Sequence, residues 1–125
     1  MIPDPPVFAP QILAQVVKLL KPEETEKLLQ ILRSRIVDLS EMDNDEVAGP
    51  EGMAHLHRLT SEAGMLGFRR LSTVCSILDD GPDHRSIEHL AWARSELHPT
   101  LERSHKEIIR QLDGALRGDD YGLAS

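Results

Sequence analysis

The sequence has a single cysteine, Cys75, so it cannot form an intramolecular disulfide or a cysteine-based metal cluster. This favours a reducing compartment, with Cys75 as an inert residue of the core. The N-terminal residues lack the basic segment, long apolar run and small-residue cleavage site of a signal peptide. We therefore expect a cytoplasmic protein.

Aromatic residues make up only 3% of the chain, and long apolar runs are missing. The most apolar stretch, 12–20, is interrupted by Gln15 and Lys18, and it is shorter than the roughly 20 residues needed to cross a bilayer. No glycine-rich phosphate loop and no His-Glu-x-x-His arrangement occur. These absences argue against a membrane span, an ATP site and a metal site.

Lysine and arginine are fewer than acidic residues, and the net charge is −7. This argues against nucleic-acid binding, which depends on clustered cations that neutralise phosphates. The charge is unevenly distributed, because residues 53–78 carry +2 and the remainder carries −9. A locally basic segment suits an acidic protein partner.

Leucine, isoleucine and valine repeat at helical spacing over most of the 125 residues, which predicts one helical domain. Proline and glycine divide the pattern into segments. A flexible arm (1–8) precedes a first helix that starts near residue 9 or 10 and ends before Lys21-Pro22. A second helix then runs to about 42–44, a third from 50 to 67 and a fourth from 68 to 78. The last helix continues from about 87 and is predicted as one long helix kinked near Pro99, with a break into two helices as the alternative.

This order of helices predicts an all-α fold. The expected arrangement is an antiparallel four-helix bundle with a short N-terminal capping helix. The domain is expected to span 9–118, and residues 119–125 are expected to form a frayed tail.

The predicted third helix displays a histidine. Successive helical residues turn by roughly 100°, which defines an apolar face consisting of Leu56, Leu59, Ala63 and Leu66. His57, Ser61 and Gly64 share a stripe roughly 150° from that face. The imidazole of His57 is therefore expected to face water, beside a surface with few side chains that a second protein can approach closely.

This segment resembles the histidine phosphotransfer (HPt) domain, whose motif runs His-x-x-Lys-Gly-Ser, then small residues, then Leu-Gly. His57 takes the position of the phosphoacceptor, and Leu66-Gly67 takes the Leu-Gly position. Thr60 stands where the family has lysine, Ser61 where it has glycine and Glu62 where it usually has serine. The predicted order of helices also matches the architecture known for this family.

The resemblance implies that His57 accepts a phosphoryl group from the phospho-aspartate of a receiver domain and passes it to another receiver. The protein would then be a carrier in a bacterial two-component phosphorelay, without an ATP-binding or kinase site. The magnesium ion of this reaction belongs to the receiver, so no cofactor is expected on this chain. Expected partners are response-regulator receiver domains and a hybrid histidine kinase, with a monomer favoured over a dimer.

Residues around His57 are expected to support the phosphoryl group or to contact the partner. They are Arg58, Thr60, Ser61, Gly64, Met65, Phe68, Arg69 and Arg70. The family lysine is thought to support the phosphoryl group electrostatically, whereas Thr60 offers only a neutral hydroxyl. This departure motivates an alternative function, a binding module that sequesters a receiver or a kinase without being phosphorylated. A plain structural bundle is a weaker third reading.

Two other residues compete with His57 for a chemical role. His55 lies on a different helical face, nearer the core, and is interpreted as a border histidine. Glu62 points roughly 140° away from His57, so we interpret it as a solvated carboxylate and not as a general base. His55 and His57 are two residues apart and point in different directions, so they are poor joint metal ligands, and no metal site is expected.

Overall fold

The regular structure of the protein is entirely helical in the computed structural model, which describes residues 2–116. These residues form five helices. They are α1 (Pro10–Ser40), α2 (Asn44–Val47), α3 (Pro50–Met65), α4 (Arg69–Asp80) and α5 (Ile87–Leu116). The all-α class is thus confirmed, while the expected tail, 119–125, lies outside the described residues.

Pro22 causes a kink inside α1. The residue before a proline is driven away from the helical region, and Lys21 has φ 71° and ψ 160°. The buried Thr25 hydroxyl donates a hydrogen bond to the Lys21 carbonyl at 2.9 Å, so this oxygen keeps a partner. The sequence predicts a boundary between two helices before Lys21-Pro22. In the structure this boundary is a kink at Lys21, which separates segments 10–20 and 22–40 of α1.

Replacing Lys21 by glycine is expected to raise the free energy of unfolding by about 1 kcal/mol. Lys21 is exposed, and a non-glycine residue at this backbone conformation costs about 1–3 kcal/mol, more than the entropic cost of a new glycine. Urea denaturation measures the change. Lys18→Gly, at an exposed helical position of α1, is the matched control and should lower stability by about 1 kcal/mol. An equal loss of stability in Lys21→Gly and Lys18→Gly would contradict a strained backbone at Lys21.

A single apolar core joins α1, α3, α4 and α5. Contacts link α3 with α4, α4 with α5, α5 with α1, and α1 with α3. The predicted apolar face of α3 is buried as expected, and Cys75 is also buried. α5 continues past Pro99 to Leu116, which confirms the prediction of one long helix over a break into two.

The short helix α2 was not predicted, although its signal is present in the sequence. The Asp43 side chain accepts a hydrogen bond from the Glu46 amide, and the Glu46 side chain accepts one from the Asp43 amide. This reciprocal arrangement is a capping box. Close behind it, a Cβ added to Gly52 would lie 2.3 Å from the Val47 carbonyl oxygen, so only glycine allows α3 to approach the end of α2 this closely.

The N-terminal segment lies along α4, although its composition predicts a flexible arm. The Arg70 amide donates to the Pro6 carbonyl at 3.0 Å, and the Arg70 guanidinium bonds Asp4 and Glu96. These hydrogen bonds to Asp4 and Glu96 raise the pKa of Arg70 above its ordinary value. The Phe8 ring lies 4.9 Å from that of Phe68. Partners this distant in sequence cannot be found from local composition.

Candidate functional site

His57 projects from α3 into solvent, and 80% of its side chain is exposed. Its neighbour Leu56 is buried in the core, since successive residues of a helix turn by roughly 100° and therefore lie on different faces of the helix. The His57 side chain is thus exposed to solvent, as the sequence predicts.

The His57 ring has one protein partner, Asp79. The distance from Nδ1 to the Asp79 Oδ2 is 2.9 Å, and the Asp79 side chain is 25% exposed. The fourth helix was predicted to end at residue 78, but α4 extends to Asp80 and places the Asp79 carboxylate on the helix beside α3. Asp79 was not identified from the sequence as a partner of His57.

The contact with Asp79 assigns separate roles to the two ring nitrogens. A carboxylate only accepts hydrogen bonds, so Nδ1 must carry the proton. In the neutral ring, the lone pair is then on Nε2, which makes no hydrogen bond within the described residues. The arrangement therefore offers an exposed nucleophilic nitrogen together with an anion that can stabilise a positive ring.

The turn between α3 and α4 brings the two residues of this pair together. Gly67 ends α3 at φ +95°, and an added Cβ would lie 2.7 Å from the Ala9 carbonyl oxygen. After the turn, the Ser72 hydroxyl donates to the Thr60 carbonyl at 2.6 Å. A Cβ on Gly64 would lie 3.0 Å from the Ser72 hydroxyl oxygen. Gly64 therefore allows close packing of α4 on α3, which corrects its interpretation as part of a bare surface for a partner.

Thr60 and Ser61 differ in what they offer to a phosphoryl group. The Thr60 hydroxyl donates to the Leu56 carbonyl at 2.9 Å, within its own helix. It is therefore engaged and forms no hydrogen bond with His57. Ser61 is exposed and leaves the helix surface one turn from His57 accessible.

Two arginines of the 53–78 segment carry positive charge that no carboxylate of the described residues neutralises. Arg58 and Arg69 are exposed and form no ion pair with any described residue. Arg70 behaves differently, because it is held by Asp4 and Glu96 and lies 5.5 Å from the centre of the Trp92 ring. Arg70 was expected to support the phosphoryl group or to contact the partner. In the structure it anchors the N-terminal segment instead.

Glu62 forms an ion pair with Arg35 of α1, a residue that sequence reasoning missed. Each side chain is about one quarter exposed. Glu62 is the one acidic residue of the 53–78 segment. Because Arg35 neutralises it, the net positive charge of this segment comes from its arginines. The ion pair also supports the interpretation that Glu62 is not a general base.

The two expected apolar docking residues have different surroundings. Met65 is 48% exposed and is accessible to a partner. Phe68 is fully buried and packs against Phe8. The prediction that Phe68 lines a docking surface is wrong, because the backbone leaves the helical path at Gly67 and turns this ring into the core.

The rival histidine and the cysteine are less accessible. His55 is half-buried, and its Nδ1 is buried without a hydrogen-bond partner. Burial, with a smaller effect of the Asp79 charge, raises the pKa of the Cys75 thiol far above its ordinary value, so this thiol stays protonated. Among residues 2–116, no three His, Cys, Asp or Glu side chains are grouped to hold a metal ion.

Neither a family model, nor a curated protein, nor a solved structure matches this chain. Within the described part of the chain, none of the helices has the length and apolar character required to cross a membrane.

Proposed function

We propose that this protein is a histidine phosphotransfer protein of a phosphorelay, with His57 as its phosphoacceptor. The observation that carries the proposal is the exposed His57 ring whose Nδ1 is held by Asp79. This contact leaves Nε2 as the nucleophile and directs it away from the protein. The resemblance of the surrounding segment to the HPt motif supports the same function.

The proposed reaction exchanges one bond to phosphorus for another. Nε2 of His57 attacks the phosphorus of a receiver's aspartyl phosphate, a P–N bond forms, and the P–O bond to the aspartate breaks with the electron pair leaving on the carboxylate. The imidazole gains positive charge, which Asp79 stabilises through the Nδ1 proton. Phosphoryl transfer depends mostly on positioning and charge, and the receiver supplies the magnesium ion.

The proposed docking surface surrounds His57 and consists of Arg58, Ser61, Met65 and Arg69. Met65 offers an adaptable apolar contact, and the two arginines attract an acidic partner. The acidic carboxylates that hold magnesium in a receiver provide such a partner. Within this proposal the protein acts in the cytoplasm as a monomer.

The proposal includes the finer architecture of an HPt domain. The contacts of α3 with α4, α4 with α5, α5 with α1 and α1 with α3 close into a ring. This supports an antiparallel four-helix bundle in which segment 22–40 of α1 supplies the fourth helix and segment 10–20 caps it.

Phosphoramidate labelling of the purified protein tests the proposal without a partner. We expect acid-labile, base-stable phosphate on the wild-type protein and on His55→Gln, and none on His57→Gln. His55→Gln is the matched control, since it makes the same change two residues away. Label that disappears in His55→Gln and persists in His57→Gln would contradict the assignment.

Thr60 favours a second function, that of a binding module that is not phosphorylated. Its hydroxyl is bonded to the Leu56 carbonyl, so nothing at this position replaces the family lysine. Absence of label on folded wild-type protein, together with binding to a receiver, would favour this function. Faster labelling of Thr60→Lys than of wild type would show that the missing lysine limits transfer.

A further inference from the structure

A cavity of about 280 Å³ lies where α2, α3, α5 and the C-terminal end of α4 meet. Its walls are mainly apolar and include Val47, Met53, Leu56, Leu78, Leu90 and Leu97. The cavity is partly open to solvent, because Asn44, Ala48 and Pro82 of its lining are exposed. An engineered cavity of about 150 Å³ with similar walls stays dry and binds benzene. The present cavity is nearly twice as large, so it has room for a small organic molecule.

Arg94 is the single charged residue among those that line this cavity. It is exposed and forms no ion pair with any residue of the described chain. Arg35 and Arg70, in contrast, are partly buried and paired with carboxylates. An unpaired guanidinium beside an apolar cavity is complementary to an anion attached to an apolar body.

We infer that this cavity is a binding site for a small apolar carboxylate, with the hydrocarbon among the leucines and the carboxylate on Arg94. The guanidinium presents parallel N–H donors that match the two oxygens of a carboxylate. At about 30 Å³ for each water-sized group, the volume fits roughly nine such groups. A fatty acid of medium chain length has this size, which makes octanoate a suitable probe.

Two residues that line the cavity are direct sequence neighbours of His57 and Asp79. Leu56 precedes His57, and Leu78 precedes Asp79, and both leucines line the cavity. The binding site itself is independent of phosphotransfer and stands if His57 is never phosphorylated.

Titration of the full-length protein with sodium octanoate, followed by methyl NMR and calorimetry, tests the inference. We expect saturable shifts of the Leu56, Leu78 and Leu90 methyl signals. Arg94→Gln should weaken octanoate binding at least tenfold, while Arg103→Gln should bind like wild type. Arg103 is the matched control, because it is an exposed arginine of the same helix that does not line the cavity.

Two further measurements make the test decisive. Leu90→Phe, which fills the cavity, should lose octanoate binding, and octan-1-ol should bind wild type more weakly than octanoate does. The inference is overturned if millimolar octanoate leaves the cavity methyl signals unchanged. It is also overturned if Arg94→Gln and Arg103→Gln bind octanoate equally. Arg94 is exposed, so its replacement keeps the test valid even where Leu90→Phe fails to fold.

Discussion

Asp79→Asn is expected to slow the phosphorylation of His57 by about ten- to a hundredfold, the range found when a carboxylate that orients a metal-binding histidine is removed. The amide is neutral, so it no longer stabilises positive charge on the ring. It can also donate to Nδ1, and this would place the ring proton on Nε2 and remove the nucleophilic lone pair. The rate of phosphoramidate labelling measures the loss. Nitrogen NMR of the His57 ring should show a lower fraction of the Nδ1–H tautomer, which distinguishes positioning of the ring from a general structural effect.

Asp80→Asn is the matched control for this prediction. It removes the same charge from the next residue of α4, whose carboxylate pairs with Arg85. We expect labelling of His57 in this variant at the wild-type rate. Equal rates for wild type and Asp79→Asn, with an unchanged tautomer, would contradict the role of Asp79.

Phe68→Ala is expected to lower the free energy of unfolding by about 3–5 kcal/mol, as for other buried aromatic residues cut back to alanine. The ring is fully buried and packs against Phe8, so its loss leaves a cavity beneath the N-terminal segment. Urea denaturation measures this change. Met65→Ala removes an exposed side chain three residues earlier and should cost less than about 1 kcal/mol.

The two variants also separate core from docking surface. Met65→Ala should weaken binding to a partner while leaving stability nearly intact. A Phe68→Ala protein with wild-type stability and impaired partner binding would restore the interpretation of Phe68 as a docking residue.

The burial of Leu56 and Leu59 and the exposure of His57 were predictable because they depend on one helical period. The break at Lys21 was predictable for a similar reason, since Pro22 acts on the residue directly before it. These features are local, so nearby residues suffice to define them.

Asp79 was not predictable as the partner of His57. Its position depends on the register between α3 and α4, which is set by the Gly67 turn and by the contact of Ser72 with Gly64. Phe68 was misplaced for a related reason, because an angular argument that holds along a helix does not extend past a residue at positive φ. The ties of Arg70 to Asp4 and Glu96 likewise join segments that no local pattern connects.

The turn at Gly67 makes the His57–Asp79 distance sensitive to the angle between two helices. His57 lies ten residues before Gly67 and Asp79 twelve residues after it, or about 15 and 18 Å along the helix axes. A rotation of one helix by about 5° about the turn would displace its far end by about 1.3 Å, enough to break a hydrogen bond. The hydrogen bond from Ser72 to Thr60 ties the two helices together near this turn and opposes such a rotation, which helps to keep the Nδ1 atom of His57 within hydrogen-bond distance of Asp79.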